Sequence, residues 1–199
     1  MDVRIISGQA RGRRLVSVKG WETRPTADRV KEALFSVLAG RCLEAQCLDL
    51  FAGTGALGLE ALSRGAAFVY WVEKHPAACA IIAKNIEATG LDRGKVLKQD
   101  VRQACQRLLA EGRRFDLIFA DPPYKRELWL PVLESAAAGL LAPAGTLILE
   151  SSRDEGLPEE FGSLIRRKQD RYGDTMIHYY QWERSPEPEP DERCEEADS

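Results

Sequence analysis

The sequence predicts an α/β domain built on one mainly parallel sheet of seven strands. An antiparallel hairpin closes its C-terminal edge, and a small β-hairpin with a helix precedes it. Three observations carry this. Short apolar runs alternate with helix-periodic stretches between residues 47 and 150, and strands joined by crossover helices pair in parallel. The last two strand-like runs have no helix between them. A glycine-rich turn, Gly53, Gly55 and Gly58, sits where the first strand of the series runs into a helix.

The elements follow in order. Arg4-Ile5-Ile6 and residues 15–18 read as short strands around the basic turn Arg11-Gly12-Arg13-Arg14. Thr26 can cap a helix over 27–39, in which Val30, Ala33, Leu34, Val37 and Leu38 recur on one face. Strands are predicted at 47–51, 68–72, 95–99, 115–120 and 146–150, and helices at 57–63, 77–89, 101–111 and 128–141. Gly139 and Pro143-Ala144-Gly145 act as breakers before the fifth strand. Residues 163–167 and 175–183 form the closing hairpin. The division expected is an N-terminal extension (1–41), a main α/β domain (42–184) and a disordered acidic tail (185–199), with no internal repeat.

Composition narrows the function. At 199 residues and 44% hydrophobic, the chain can bury a full single-domain core. It shows no signal-type N-terminus and no membrane-length apolar run. Five scattered cysteines without a C-x-x-C pair read as reduced thiols of a cytoplasmic protein. With only His75 and His178, a His-rich metal centre is excluded and a Ser-His-Asp triad disfavoured, so no metal is expected. The net charge of −3 hides an asymmetry: residues 1–31 carry eight Lys/Arg against three acids, and residues 185–199 carry seven acids against one Arg. The tail reads as a solvated end, with competition for the basic end as the alternative.

Two motifs carry chemistry. Asp121-Pro122-Pro123-Tyr124 ends the predicted strand 115–120. The prolines stiffen the chain and lack N–H groups, so the segment offers acceptors beside an aromatic face. That suits a planar ring with an exocyclic amine; a loop that merely uses prolines as a stop is the alternative. The second motif, Asp49-Leu50-Phe51-Ala52-Gly53-Thr54-Gly55-Ala56-Leu57-Gly58, matches G-x-G-x-x-G, with Glu73 about twenty residues on to accept ribose hydroxyls. The glycines and Glu73 alone would also suit NAD. Asp49 inside the strand favours S-adenosylmethionine, because it could receive a cationic amino end, although it could also be a buried structural partner. Asp100 could accept the adenine amine or cap the helix at Val101, or do both.

These motifs together resemble class I S-adenosylmethionine-dependent methyltransferases, a Rossmann-like fold, acting on exocyclic amines. The N-terminal runs Arg4-Ile-Ile-Ser-Gly8, Gly12-Arg13-Arg14-Leu15 and Arg24-Pro25-Thr26-Ala-Asp28-Arg29-Val-Lys-Glu32-Ala-Leu-Phe35, with Tyr172-Gly173-Asp174-Thr175 near the end, resemble the RsmD family over about residues 3 to 183. The resemblance implies methylation of guanine N2 in bacterial 16S ribosomal RNA or the small ribosomal subunit during assembly, by a monomer. It places Asp121, Pro122, Pro123 and Tyr124 at catalysis. Asp49, Phe51, Ala52, Gly53, Thr54, Gly55, Glu73, Lys74, Asp100, Val101 and Asp121 fall at the cofactor. Arg11, Arg13, Arg14, Arg24, Thr26, Arg29 and Lys31 are candidates for RNA contact, the alternative being a solvated basic surface. An adenine-N6 methyltransferase, an NAD-dependent oxidoreductase and a non-catalytic RNA-binding module stay open on the residues alone.

Overall fold

The computed structural model describes residues 3–17, 26–124 and 127–184. The expectations for Arg24, for the end of the second short strand at Val18 and for the tail lie outside the described residues.

The elements are α1 (Thr26–Val37), β1 (Gln46–Leu50), α2 (Ala56–Ser63), β2 (Phe68–Val72), α3 (Pro76–Thr89), β3 (Gly94–Leu97), α4 (Val101–Ala110), β4 (Phe115–Ala120), α5 (Trp129–Ser135), β5 (Leu141–Ser152), β6 (Glu160–Phe161), β7 (Leu164–Tyr172) and β8 (Thr175–Trp182). They build one sheet of eight strands in the order β3-β2-β1-β4-β5-β8-β7-β6. β3, β2, β1, β4 and β5 run parallel, and β8, β7 and β6 close the sheet antiparallel. The expected seven strands become eight because β6, two residues long, adds a short edge pair to the start of β7. The last strand is not at the edge: β8 inserts between β5 and β7.

Strand alternation divides the core. Cys47, Leu117, Phe119, Ile148 and Ile177 point to one face, where they meet α1, α2, α3 and residues Val3, Ile5 and Leu15. Leu48, Leu50, Ile118, Leu147, Leu149 and Tyr180 point to the other, under α4 and α5. The helix after 128 ends earlier than the periodicity suggests: α5 stops at Ser135 and widens into a π-helical turn, Ala136–Leu140, that closes at Gly139 with φ 108°. β5 begins at Leu141, five residues ahead of the expected start, because Leu141 pairs with Phe115. The breakers Pro143, Ala144 and Gly145 form an irregularity inside the strand, one of the few places in a sheet where proline fits.

Residues 3–17 form the expected hairpin, but as a single antiparallel bridge, Arg4↔Arg14, and not as two strands. Its outward backbone groups find side chains of the main domain instead. Glu60, wholly buried, accepts Ile6 N–H (2.7 Å) and Ser7 N–H (3.0 Å). Ser63 Oγ accepts Ala10 N–H at 3.0 Å. Asn85 Oδ1 accepts Val16 N–H at 2.7 Å, and its Nδ2 donates to Val16 O (3.0 Å) and Thr54 O (2.9 Å). The extension is thereby fixed to α2 and α3.

Candidate active site

The strand order reverses between β1 and β4, which places a crevice at the carboxyl ends of the parallel strands. A cavity of about 690 Å³ lies there, lined by the ends of β1, β2, β3, β4 and β5 and the start of β8. The volume is that of an ordinary small-molecule site.

The loop after β1 is shaped to bring backbone close to a ligand. Phe51 turns left-handed at φ 60°, uncommon for a bulky residue, followed by Gly53 (56°) and Gly55 (77°). Ala52 N–H donates to Val72 O at 3.0 Å, tying the loop to β2. Gly58 lets α2 lie against the sheet: a Cβ there would stand 2.3 Å from Trp71 Nε1.

Acids end three strands around this loop. Asp49, 2% exposed, accepts Gly58 N–H on Oδ2 at 2.9 Å. Burial pushes its carboxyl up to about 8, opposed by the Gly58 N–H and reinforced by the Glu73 charge. Glu73, also buried, accepts Gly53 N–H on Oε2 (3.0 Å) and His75 N–H on Oε1 (2.8 Å). Each of its oxygens keeps a second lone pair for a hydroxyl. Asp100 caps α4 by accepting Arg102 N–H at 3.0 Å and lines the cavity as well. Thr54, Lys74 and Val101 line it too.

Asp121, Pro122, Pro123 and Tyr124 continue β4 into the same cavity. Pro122 is buried, while Asp121 and Pro123 are exposed. The half-buried Tyr124 donates its hydroxyl to Glu150 Oε1 at 2.7 Å and lies 3.3 Å from Thr175 Oγ1.

Among the described basic candidates, Arg11, Arg13, Arg14 and Arg29 do not line this cavity. The tip of the N-terminal hairpin lies against the far end of α2, with Gln9 N–H donating to Ser63 O at 2.8 Å. Eight helical residues, about 12 Å at 1.5 Å each, separate that tip from the glycine loop. Arg11, Arg13 and Arg14 are exposed there, and Arg29 is exposed on α1. Thr26 is the first residue of α1, one position ahead of the expected helix start. Lys31 departs from expectation: it is 5% exposed, its Nζ donates to Arg4 O, and it stands 3.8 Å from the buried Glu60 carboxylate. A buried charge is retained only where it is paired, so Lys31 serves the hairpin anchor and lines the cavity wall from inside.

Sequence reading passed over Glu150, Thr175, Gln99 and Asn85. Glu150 ends the expected strand 146–150, and an acid at the carboxyl end of a parallel strand was the available signal. Gln99 lines the cavity, and its buried Oε1 has no hydrogen-bond partner among the described residues. Thr175 is marked only as the end of the Tyr172-Gly173-Asp174-Thr175 run, with no role attached, and nothing local marks Asn85. His178, buried on β8 between β5 and β7, is held neutral by burial and by Arg166, which push it down to about 4; Ser151 Oγ lies 2.9 Å from its Nε2. No cluster of residues that could hold a metal occurs among the described residues, and no described helix is long and apolar enough to cross a membrane.

Residues 3–181 match the family described as Conserved hypothetical protein 95. Ribosomal RNA small subunit methyltransferase D of Escherichia coli (strain K12) is 36% identical over 193 residues, spanning 96% of this chain and 95% of the relative. The chain belongs to the RsmD family. The solved structure of yhhF from Escherichia coli superposes on this RsmD-family chain with a TM-score of 0.81 at 32% identity, covering 94% of this chain and all of the other. A Thermus thermophilus 16S rRNA N2 methyltransferase, RsmC, solved with AdoMet and guanosine, matches at 26% identity and a TM-score of 0.71, over 92% of this chain and 50% of its own. The fold is that of the class I S-adenosylmethionine-dependent methyltransferases.

The cavity fits that cofactor. The buried Asp49 carboxyl suits an ammonium, which selects its ionised form, the Glu73 lone pairs suit a ribose diol, and the unpartnered Gln99 Oε1 beside Asp100 suits an aromatic amine.

Proposed function

We propose that this RsmD-family protein methylates the exocyclic N2 amine of a guanine in 16S ribosomal RNA. The observation that carries the reading is that the acceptor-rich Asp121-Pro122-Pro123-Tyr124 segment and the acid-and-glycine cradle open on one cavity. The reading extends to a monomer working in the cytoplasm on RNA or on an assembling small subunit.

In this reading Asp49 binds the amino end of the cofactor, Glu73 its ribose, and Asp100 with Gln99 its adenine, while Phe51, Ala52, Gly53, Thr54 and Gly55 supply close backbone. S-adenosylmethionine, when bound, supplies a methyl group on a sulfonium centre, activated towards displacement. A guanine N2 amine is a weak nucleophile because its lone pair is delocalised into the ring. Asp121 Oδ and the Pro122 carbonyl accept its two N–H bonds, which favours a pyramidal nitrogen with its lone pair turned inward. Asp121 is exposed, so the proton lost after transfer has a route to water. Most of the acceleration is positional and electrostatic. Tyr124 stacks on the extracted base, a contact worth about 1–3 kcal/mol, and the base reaches it from a loop or by leaving its stack. Arg11, Arg13, Arg14, Arg24 and Arg29 add sequence-poor phosphate contacts.

The test is tritiated-methyl transfer to 16S RNA and to small-subunit particles lacking the modification, followed by nucleoside analysis. N2-methylguanosine is the expected product. N6-methyladenosine, or no label in RNA, would replace this reading.

A further inference from the structure

We infer that Glu150 and Thr175 are positioning residues that set the plane of the Tyr124 ring for stacking on the target base, an inference that rests on the guanine-methylation reading above. Tyr124 Oη donates to Glu150 Oε1 at 2.7 Å and lies 3.3 Å from Thr175 Oγ1. The partners are 26 and 51 residues away in sequence. They come from the adjacent strands β5 and β8, which pair antiparallel with Glu150 opposite Ile177 and Ser152 opposite Thr175. A stacking platform must hold its plane before the base arrives, or ordering it is charged against binding.

The geometry shows how the plane is held. A tyrosine hydroxyl lies on the axis about which its ring turns. Pinning the oxygen alone fixes only where that axis points, and the stiff Asp121-Pro122-Pro123 segment fixes its other end. The phenolic O–H, however, lies in the ring plane. Donation to Glu150, with Thr175 as a second partner on the same oxygen, therefore restrains the turn as well. Burial, reinforced by the Glu150 charge, holds the Tyr124 hydroxyl well above its ordinary pKa, so it remains a donor. Thr175 is 6% exposed. It opens β8 directly after the turn at Gly173, whose φ is 64°. The Tyr172-Gly173-Asp174-Thr175 run thus acquires a function: it delivers the second pin.

The restraint can be read without RNA, by fluorine NMR of protein labelled with 3-fluorotyrosine, the Tyr124 signal being assigned by its loss in Tyr124→Phe. A ring held in one plane gives, in the wild type, a broad or doubled signal or a line displaced from the averaged shift, and a single sharp line at the averaged shift in Glu150→Ala. A wild-type signal that matches that of Glu150→Ala in number, width and shift overturns the inference. In methyl transfer to 16S RNA, Glu150→Ala should lower kcat about tenfold, the size expected for one charge-assisted hydrogen bond. The S-adenosylmethionine dissociation constant should not change. In the Tyr124→Phe background, the same substitution should cost nothing further. A full tenfold loss repeated in that background, or wild-type turnover in Glu150→Ala, overturns it. Should Glu150→Ala lose its cooperative melt, Glu150→Gln and Thr175→Val carry the same cycle with smaller losses, about threefold each. Absence of methyl transfer by the wild type removes the functional reading alone, and the NMR result then decides the restraint by itself.

Discussion

Asp49 and Gly58 are joined across nine residues: the buried Asp49 carboxylate accepts the Gly58 amide at 2.9 Å, so the end of β1 and the first turn of α2 share one hydrogen bond. That bond holds the glycine loop between them in shape. It also favours charge on a carboxyl that burial otherwise keeps neutral, and the balance leaves Asp49 titrating at about 8.

Asp49 is therefore expected to give up a proton when a cationic ligand binds. At pH 7 the empty site carries mostly the protonated acid, and an ammonium group selects the ionised form. Calorimetry of S-adenosylmethionine binding in buffers of different ionisation enthalpy should show release of close to one proton, absent in Asp49→Asn. Affinity should climb as pH rises towards 8, then fall as the ligand's own α-amino group, ordinarily near 7.7–8.0, loses its charge. The stability of the empty protein runs the other way. A carboxyl with a raised folded-state pKa contributes stability that is complete below about pH 4 and lost as pH rises through about 8. Asp49→Asn should flatten that fall, and a wild-type pH profile in the variant would contradict the assignment.

Gly58→Ala should destabilise the fold even though alanine favours helices. The added Cβ would sit 2.3 Å from Trp71 Nε1 and 2.7 Å from Val69 Cγ1, both on β2, one strand in from the edge of the sheet. Trp71 is fully buried and cannot step aside. Overpacking of this kind costs about 1–3 kcal/mol, or roughly 2–12 °C in the midpoint of a chain this size. Thermal denaturation reads it directly, and an unchanged midpoint would mean that α2 can shift away from the sheet.

Asp121→Asn should lower turnover while sparing cofactor binding, because an amide oxygen can still accept one N–H of the target amine. Asp121→Ala should fall further. Single-turnover methyl transfer with the S-adenosylmethionine dissociation constant measured alongside separates the two effects. Wild-type rates in both variants would remove Asp121 from the chemistry.

The sequence made the alternation of strands and helices legible, and with it the crevice, because strands buried on both faces are short apolar runs and their helices repeat on a separate period. The acids at Asp49, Glu73 and Asp100 and the Asp121-Pro-Pro-Tyr124 segment could be read because each sits at a strand end. Lys31 could not be placed by charge alone. Phe35, one helical turn later and 2% exposed, extends the buried face of α1 over it. Pro143 and Gly145 read as stops because local propensity cannot report a partner strand, and β4 carries β5 through the irregularity. The link from Glu150 to Tyr124 depends on the order β4-β5-β8 in the sheet, which no local pattern encodes.

Glu60→Ala should loosen the N-terminal hairpin before it affects the cofactor site. The carboxylate is fully buried, holds two backbone amides of the hairpin, and pairs with Arg64 at 2.8 Å and Lys31 at 3.8 Å. Its removal strands two N–H groups and leaves the buried Lys31 without that carboxylate. Breaking one side of such a pair typically costs about 3–5 kcal/mol. Hydrogen exchange should accelerate at Ile6 and Ser7, with the amides of β1 and β4 still protected. Uniform acceleration would instead place Glu60 in the global core.

The basic turn offers the last test, because its position separates affinity from chemistry. Arg11, Arg13 and Arg14 lie at or beside the hairpin tip, against the end of α2 that points away from the glycine loop. Replacing all three with Ala should weaken RNA binding and reduce the slope of log K against log salt by roughly one unit per lost phosphate contact. The S-adenosylmethionine dissociation constant should remain that of the wild type, since no cavity-lining group is touched. Saturating RNA should restore kcat, because the Asp121 acceptor and the Tyr124 platform are intact. A variant that binds RNA with the wild-type salt slope would exclude this turn from the interface. One that binds normally but turns over slowly would instead tie the turn to placement of the target base.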